Sequence, residues 1–277
     1  MRFFFGILSL LAVIYVGICI GYRFLHPYFV FIPWRRLNRR PGGDYSFREL
    51  FFESFNNVTL QAWLLRPSVA SEADETKRPV ILFCPGNIGT IAKYLSAAEI
   101  LVDGGYDVFL FGYRGFGHSD FRWPTEKGVY HDTQAAFVYL RDTLDYPPDS
   151  IVILGQSIGC APAALAASKY NPRALVIEGG FPSFTDVVRR VLPWLPVRML
   201  TTARFDLKGH LQGVTCPVLV FHSREDKAIP PGDADTIFEN ICSYKEKVII
   251  DGIHARGIVT QPDIYIERLN RFLRRTS

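Results

Sequence analysis

The 277-residue sequence has only five cysteines, and none of them has the paired spacing that a metal site or a redox motif requires. They are scattered and odd in number: Cys19, Cys84, Cys160, Cys216 and Cys242. This distribution favours buried thiols in a reducing compartment over a disulfide framework. Phosphate-loop, dinucleotide-binding and H-E-x-x-H motifs are also missing. The sequence therefore implies neither a cofactor nor a metal ion.

A strong charge of either sign is lacking as well, because the formal net charge is only +4. Much of the positive excess lies in two groups: Arg35, Arg36, Arg39 and Arg40, and Arg268, Arg271, Arg274 and Arg275. The first group follows an apolar segment and no nucleic-acid-binding module is visible, so no nucleic-acid partner is expected. A hydrophobic content of 48% and a charged content of 21% predict a globular protein with a large core.

The N-terminus carries a run of 20 residues without a charge, from Phe3 to Tyr22. As a helix this run would extend about 30 Å, the thickness of a bilayer's hydrocarbon core. A secretory signal peptide would have a shorter apolar region and small residues at a cleavage site. Here the run contains a single alanine, Ala12, and Ile18 precedes Cys19 where a lipoprotein signal needs a small residue. We therefore predict an uncleaved, single-pass membrane anchor.

Basic residues after this run outnumber those before it, which predicts that the C-terminal side faces the cytoplasm. Aromatic residues between positions 24 and 34 suit the headgroup region, so this piece is expected to lie along the membrane surface. Two alternatives stay open: these aromatics pack on the domain, or the chain is exported despite its arginines. The predicted organisation is a membrane anchor and interfacial segment at 1–40, with membrane contact through 3–34, followed by one domain at 41–277.

Patterns typical of strands and helices alternate along the rest of the chain. Two strands, at 47–55 and 58–65, are joined at Asn56-Asn57, a hairpin signal. Buried-strand patterns follow at 79–85, 106–111, 151–154, 173–178, 218–222 and 245–251, separated by helical patterns. A polar stretch at 68–78 predicts a surface loop. This alternation predicts an α/β fold: a mostly parallel central sheet with helices on both faces and an antiparallel N-terminal edge.

One long, apolar, proline-containing stretch at about 179–213 interrupts this alternation. It is too long for a simple connection, so it is predicted to form an inserted cap with one or two short helices.

A Gly-Gln-Ser-Ile-Gly segment at 155–159 lies between a predicted strand and a predicted helix. This is the context of a nucleophile elbow, in which a serine sits on a sharp turn at the end of a strand. Ser157 is therefore the predicted nucleophile. The free N–H groups at the start of the following helix would favour developing negative charge there.

A serine nucleophile needs a general base and a carboxylate that orients it, in the chain order serine, acid, histidine. Of the histidines after Ser157, His254 follows the last predicted strand directly, whereas His210 lies in the cap and His222 within or at the end of a strand. His254 is the predicted base. Either Glu225 or Asp226, in the loop after the strand at 218–222, could hold its imidazole.

The oxyanion of a tetrahedral intermediate needs two preorganised hydrogen-bond donors. One is the backbone N–H of Ile158, which follows the serine. The other is expected from the glycine-containing loop after the strand at 79–85, where Asn87 is the predicted donor and Ile88 the alternative.

Taken together, these segments resemble the serine hydrolases of the α/β-hydrolase superfamily over about residues 45–275. The segments are Pro85-Gly86-Asn87, Gly112–Ser119, Gly155–Gly159, Pro217–Pro230 and Gly252–His254. The resemblance implies Ser157 as nucleophile, His254 as base and Asp226 as its acidic partner. It also implies a supporting role for the loop at 112–119, in which Arg114 pairs with a carboxylate and His118 is structural.

Within the superfamily, the Gly-Asn turn and the N-terminal anchor are most similar to the membrane-anchored α/β-hydrolase-domain proteins. Some of these act on acylated proteins or lipids. That subgroup usually has histidine before the Gly-Asn pair, where this chain has Pro85. His131 and Asp132 fall in a helical pattern and are expected on its solvated face.

The expected function is a membrane-anchored serine hydrolase, with its catalytic domain in the cytoplasm, that cleaves an ester or thioester of an apolar acyl group. The substrate would be a small molecule, a lipid or an acylated protein. Three alternatives stay open: an acyltransferase or a peptidase using the same residues, or a non-catalytic binding scaffold. An intact set of Ser157, Asp226 and His254 argues against the scaffold.

Overall fold

The computed structural model describes residues 1–68 and 78–276, so the predicted loop at 68–78 lies almost wholly outside the described residues. The strands are β1 (Ile32–Pro33), β2 (Tyr45–Ser54), β3 (Val58–Pro67), β4 (Val80–Cys84), β5 (Ile88–Gly89), β6 (Asp107–Phe111), β7 (Ile151–Gln156), β8 (Ala174–Glu178), β9 (Val218–Ser223) and β10 (Lys245–Ile250). The helices are α1 (Arg2–Val30), α2 (Leu95–Asp103), α3 (Glu126–Asp142), α4 (Cys160–Tyr170), α5 (Phe184–Val191), α6 (Val197–Leu200), α7 (Leu207–Leu211), α8 (Pro231–Glu239), α9 (Gly257–Thr260) and α10 (Pro262–Arg275).

Eight strands of the described chain form one sheet in the order β10-β9-β8-β7-β4-β6-β3-β2. Pairing is parallel from β10 to β6, whereas β3 runs antiparallel to both β6 and β2. The β2–β3 turn places Asn56 and Asn57 at φ values of 64° and 54°, which is the conformation that a two-residue hairpin turn requires. The predicted mostly parallel sheet with an antiparallel N-terminal edge is confirmed.

Side chains of the central strands alternate between two apolar layers, because successive residues of a strand point to opposite faces. Leu82, Phe109 and Ile153 belong to the layer covered by α3, α4 and α8. Ile81 and Val108 belong to the layer covered by α2 and α10. With helices on both faces, every residue of β4, β6, β7, β8 and β9 is buried, which explains their continuous apolar sequences.

The cap at 179–213, all of which is described, contains three short helices, α5, α6 and α7, rather than one or two. Pro193 and Pro196 lie between α5 and α6, and proline cannot continue a helix that precedes it. The side chain of Asp206 accepts a hydrogen bond from the backbone N–H of Gly209 and so starts α7 as a separate helix. A helical cap is confirmed, with one more helix than expected.

Helix α1 continues past the predicted span to Val30 and holds Pro27 inside it. Of the described residues, those at 3–30 form the one helix that is long and apolar enough to cross a membrane, with a mean hydropathy of 2.6. A signal sequence near the N-terminus can also form a helix that is long and apolar enough to cross a membrane.

Part of the segment that we expected on the membrane surface belongs instead to the domain. Val30 and Phe31 are buried, and the Phe31 ring lies 5.8 Å from that of Phe205 and 6.2 Å from that of Phe116. Strand β1 then pairs with β5. These contacts bury two apolar side chains that a surface segment would leave in contact with lipid. Phe24, Tyr28, Phe29 and Trp34 are exposed, so their contact with a membrane stays a prediction.

Candidate active site

Ser157 lies on the turn between β7 and α4, at the C-terminal end of its strand. Its φ of 56° is in the left-handed region, which a residue other than glycine rarely adopts and which is concentrated at functional sites. A Cβ atom at Gly155 would lie 2.6 Å from Cys160 Cα, and one at Gly159 would collide with the Cys84 carbonyl oxygen. The two glycines are therefore required by close backbone approach, and the turn has the geometry expected of a nucleophile elbow.

His254 and Asp226 come to Ser157 from the loops that follow β10 and β9. The hydroxyl Oγ of Ser157 lies 2.9 Å from Nε2 of His254, and Nδ1 of His254 lies 2.6 Å from Oδ2 of Asp226. Both are hydrogen-bonding distances. Residues separated by up to 97 positions in sequence thus form one continuous chain of hydrogen bonds at the C-terminal edge of the sheet.

Asp226 is buried, and its second oxygen accepts hydrogen bonds from the backbone N–H groups of Ala228 (2.9 Å) and Ile229 (2.8 Å). Burial by itself would raise the pKa of Asp226. The hydrogen bond from His254 and those from the backbone outweigh burial and hold the pKa below its usual value. The carboxyl group is therefore ionised at neutral pH. Glu225, the alternative acid, is exposed.

The other two candidate histidines have different hydrogen-bond partners, although Nε2 of His222 lies 3.9 Å from Oδ2 of Asp226. Nε2 of His210 lies 3.1 Å from the Tyr130 hydroxyl in the contact between the cap and α3. His222 is buried in β9, with Nε2 3.0 Å from the carbonyl oxygen of Ile229. Neither contacts Ser157, so the structure brings together the three residues that the sequence selected.

The loop that holds the predicted oxyanion donor faces the same space as Ser157. Gly86, Asn87 and Ile88 line one cavity of about 310 Å³ with Ser157 and His254. Within the parts of the chain that are described, the Asn87 N–H donates to no protein acceptor. It is therefore free to bind an oxyanion.

Ile158 follows Ser157 at the start of the helical segment, where backbone N–H groups have no partner within the helix.

The end of α1 holds the Asn87 loop in place. The Asn87 side chain donates from Nδ2 to the carbonyl oxygen of Val30 (2.7 Å), and the Ile32 N–H donates to the carbonyl oxygen of Asn87 (2.9 Å). The loop is thus fixed from both its side chain and its backbone by residues that the sequence placed in the anchor region. Sequence reasoning missed this contact, because its partners are 57 positions apart and carry no shared pattern.

Two cationic side chains, Lys93 and Arg256, line the same cavity. Burial lowers the pKa of Lys93, and the nearby Arg256 charge lowers it further. The wall of the cavity next to Ser157 therefore carries cationic side chains among both polar and apolar residues.

Glu178 is a buried acid beside the elbow that sequence reasoning did not single out. It lies at the end of β8 and accepts hydrogen bonds from the Gln156 side chain (3.0 Å) and from the Ile258 N–H (3.3 Å). Burial raises its pKa despite these bonds. Glu178 connects the residue before Ser157 to the helix that follows the His254 loop. A charged residue ending an otherwise apolar strand, Ala174–Glu178, was the available signal.

The expectation that Asp132 lies on a solvated face is wrong. Asp132 is buried and accepts from the Arg114 guanidinium (2.6 Å), the Arg114 N–H (2.9 Å) and the Ser54 hydroxyl (2.6 Å). These bonds replace the water that the carboxylate gives up. The partner that the resemblance implied for Arg114 is therefore Asp132, and the pair fixes the loop at 112–119 to α3. Nδ1 of His118 lies 3.8 Å from Oε1 of Glu49.

A mostly parallel sheet, a serine on a strained strand-to-helix turn, and an acid and a histidine from later strand ends define an α/β-hydrolase. A family model described as alpha/beta hydrolase fold matches residues 79–212. The chain therefore has the α/β-hydrolase fold.

Similar proteins come from several kingdoms. An uncharacterized protein of Mycobacterium tuberculosis is 28% identical over 231 residues, covering 83% of this chain and 80% of that protein. The alpha/beta hydrolase domain-containing protein WAV2 of Arabidopsis thaliana is 29% identical over 250 residues, covering 82% and 78%. A solved esterase of Pyrococcus furiosus superposes with a TM-score of 0.72 at 17% identity, covering 89% of this chain and 98% of that one. At this identity the esterase is similar in fold.

Proposed function

We propose that this protein is a serine hydrolase that cleaves an ester or thioester through an acyl-enzyme on Ser157. The observation that carries the proposal is the pair of short contacts, 2.9 Å from Ser157 Oγ to His254 Nε2 and 2.6 Å from His254 Nδ1 to Asp226. A serine hydroxyl is a weak nucleophile until an adjacent base can accept its proton. His254 is within reach of that proton, and Asp226 holds the imidazole in the tautomer whose Nε2 is free to accept it.

In the first half of the reaction, His254 takes the hydroxyl proton as Ser157 Oγ attacks the carbonyl carbon of the substrate. The backbone N–H groups of Asn87 and Ile158 stabilise the resulting oxyanion. The intermediate collapses when the bond to the leaving oxygen or sulfur breaks, and His254 returns the proton to that atom. In the second half, water repeats the attack on the acyl-enzyme, which releases the carboxylic acid and restores Ser157.

The substrate side of the proposal comes from the surroundings of the site. We propose that α1 anchors the protein in a membrane, with the catalytic domain on the cytoplasmic side, and that the acyl group is apolar. Exposed apolar side chains of the cap, Val191, Trp194 and Met199, support the proposal that the acyl group is apolar. Lys93 and Arg256 favour a substrate with a polar or anionic leaving part, because their charges lie in the cavity with Ser157.

Labelling with a fluorophosphonate probe tests the nucleophile, because such probes phosphonylate activated serines. The full-length protein should be labelled, whereas Ser157→Ala should not. A chemically similar control is Ser168→Ala, since Ser168 lies in α4 and its hydroxyl donates to the carbonyl oxygen of Leu165. Labelling that persists in Ser157→Ala would overturn the assignment, and a wild type that is never labelled would favour a non-catalytic scaffold.

Hydrolysis of a series of p-nitrophenyl esters with rising chain length then tests the acyl specificity. We expect kcat/KM to rise with chain length, since each added CH₂ group gives more apolar surface to bury. Equal rates for short and long chains would contradict an apolar acyl substrate.

A further inference from the structure

Helix α5 of the cap is amphipathic. Phe184, Val187, Val188 and Val191 recur with the spacing i, i+3, i+4, i+7, which aligns them on one face. The opposite face carries charged residues, among them Asp186, Arg189 and Arg190. Such an apolar stripe normally packs against a core. In α5, every residue of which is described, no side chain is fully buried.

Phe184 and Val187 pack partly against the core, and the remaining apolar surface of α5 borders a groove of about 500 Å³ whose other wall is the C-terminal part of α1. Tyr22, Leu25 and Phe29 of α1 face Val187, Val188 and Val191 of α5. Helix α5 begins six residues after the C-terminal end of β8. The groove is separate from the cavity that contains Ser157.

The cap also extends along α1 toward the N-terminus. The Tyr22 hydroxyl lies 2.8 Å from the Thr201 hydroxyl, and the Tyr15 hydroxyl donates to the carbonyl oxygen of Trp194 (3.0 Å). At a rise of 1.5 Å per residue, Tyr15 is about 18 Å along the helix from Phe3. A hydrocarbon core about 30 Å thick that starts at Phe3 therefore extends about 12 Å beyond Tyr15, toward the domain.

The cap residues around Trp194 would then lie within the lipid leaflet. Their exposure agrees with this depth, because Val191, Trp194 and Met199 are 70%, 53% and 82% exposed. Exposed apolar clusters of this kind mark a contact surface. Lipid that surrounds α1 at Tyr15 would therefore also surround this part of the cap.

We propose that the cap is immersed in the leaflet beside α1 and that the groove binds a hydrocarbon chain of a membrane lipid or lipid-like ester. The proposal rests on the proposed function, since it assigns the class of substrate to the same enzyme. A hydrocarbon chain fits because the groove walls are almost wholly apolar. A peptide would bury backbone N–H and C=O groups there without partners, which is costly.

Tryptophan quenching tests the immersion. The full-length protein is reconstituted in phosphatidylcholine vesicles with or without bromine atoms in the middle of the acyl chains. The difference in fluorescence emission between wild type and Trp194→Phe gives the emission of Trp194. We expect the brominated lipid to quench this emission strongly. Wild type against Trp63→Phe is the matched control, because Trp63 is buried in the core and should not be quenched. Unquenched Trp194 emission in a protein that floats with the vesicles would overturn the immersion.

Filling the groove tests the binding of the chain. In Val188→Trp, we expect kcat/KM for a long-chain ester in vesicles to fall about tenfold, because a few CH₂ groups lose their contacts. The fall should be larger than that for a soluble acetate ester, because an acetyl group is too short to occupy the groove. Arg189→Trp is the matched control, since it adds the same side chain to the exposed face of the same helix. Val188→Leu repeats the test with a smaller change, should Val188→Trp fail to fold.

The failure of this inference differs from failure of the proposed function. If fluorophosphonate labels Ser157 in every variant but filling the groove leaves the preference for long chains unchanged, the groove does not bind the chain and the hydrolase proposal stands. If the wild type is not labelled at all, the hydrolase proposal fails. In that case, a fluorescent fatty acid that binds to the wild type but not to Val188→Trp would still support the binding of a hydrocarbon chain in the groove.

Discussion

The surroundings of Ser157 and those of the groove between α1 and α5 are built in opposite ways. Around Ser157, Gly155 and Gly159 admit no side chain, and both oxygens of Asp226 have hydrogen-bond partners. Around the groove, no residue of α5 is fully buried. Proton transfer and oxyanion binding depend on fixed directions and distances, which close packing supplies. A hydrocarbon chain makes no directional contacts, so a loosely packed apolar surface is sufficient for it.

Changes at Ser157 should have the largest effect, because they remove the reacting atom from the close-packed region. We expect Ser157→Ala to lower kcat/KM for a soluble ester by about 10⁴-fold or more, with the unfolding midpoint little changed. His254→Ala should cost a similar factor. The double variant should be no slower than either single one, since the two residues act as a unit. Additive losses, measured by stopped-assay ester hydrolysis, would contradict a shared step.

Asp226 should have the next largest effect, through the orientation of His254. In Asp226→Asn, the amide no longer holds the imidazole in the productive tautomer, and we expect kcat to fall about 10³-fold or more. Glu225→Gln is the matched control, because Glu225 is the neighbouring acid and is exposed. Its kcat should stay within about twofold of wild type, as for most surface substitutions. A larger loss of kcat in Glu225→Gln than in Asp226→Asn would mean that Glu225, and not Asp226, orients His254.

These two predictions concern residues that sequence reasoning reached, and the reason is that their signals are local. The elbow is a contiguous motif with a strand before it and a helix after it, and His254 follows the last strand directly. The choice of Asp226 over Glu225 needed the resemblance, because two adjacent acids in a loop are equivalent by spacing. The buried central strands were equally clear, since continuous apolar runs reflect helices on both sheet faces.

The contacts that sequence reasoning missed join distant segments and leave no periodic pattern. The Arg114–Asp132 ion pair needed the loop at 112–119 to be placed against α3. The bond from Asn87 to Val30 needed the end of α1 to be placed against the oxyanion loop. An apolar, aromatic stretch can face either lipid or the core of the domain. Composition alone therefore does not predict that Val30 and Phe31 are buried while their neighbours are exposed.

Truncation can separate the two roles that we propose for α1, membrane anchoring and support of the Asn87 loop. A chain without residues 1–22 keeps Val30, β1 and their bonds to the Asn87 loop, whereas a chain without residues 1–40 loses them. Both should fail to float with vesicles. On a soluble ester, we expect the longer deletion to lower kcat by about tenfold, since a displaced oxyanion donor costs up to 10²–10³. The shorter deletion should keep the wild-type rate.

A point variant separates this effect from a general loss of structure. Asn87→Ala keeps the backbone N–H that would bind the oxyanion but removes the bond to Val30. We expect kcat to fall several-fold with KM unchanged, because only the position of the donor in the transition state is affected. If both deletions left the soluble-ester rate intact, the end of α1 would have no part in positioning the Asn87 loop.

The smallest effects should appear in the pH dependence of stability, where Asp226 and Glu178 act in opposite directions. The pKa of Asp226 is lowered in the folded state, so the unfolded chain binds more protons and this carboxylate stabilises the fold above its unfolded pKa of about 3.9. That contribution is lost as the pH falls through the folded pKa. The pKa of Glu178 is raised, so its contribution is present below about 4.3 and is lost as the pH rises through the folded pKa.

Denaturant unfolding between pH 3 and pH 8 of wild type, Asp226→Asn and Glu178→Gln tests this opposition. The advantage of wild type over Asp226→Asn should shrink toward pH 3, whereas its advantage over Glu178→Gln should shrink toward pH 8. Subtracting each variant from wild type removes the titration of the other carboxyl groups, provided that they do not interact with the substituted one. If the two differences in unfolding free energy, wild type minus each variant, changed with pH in the same direction, Glu178 would be held in its charged form. Glu178, held by its bonds to Gln156 and Ile258, would then be a second buried carboxylate beside the elbow.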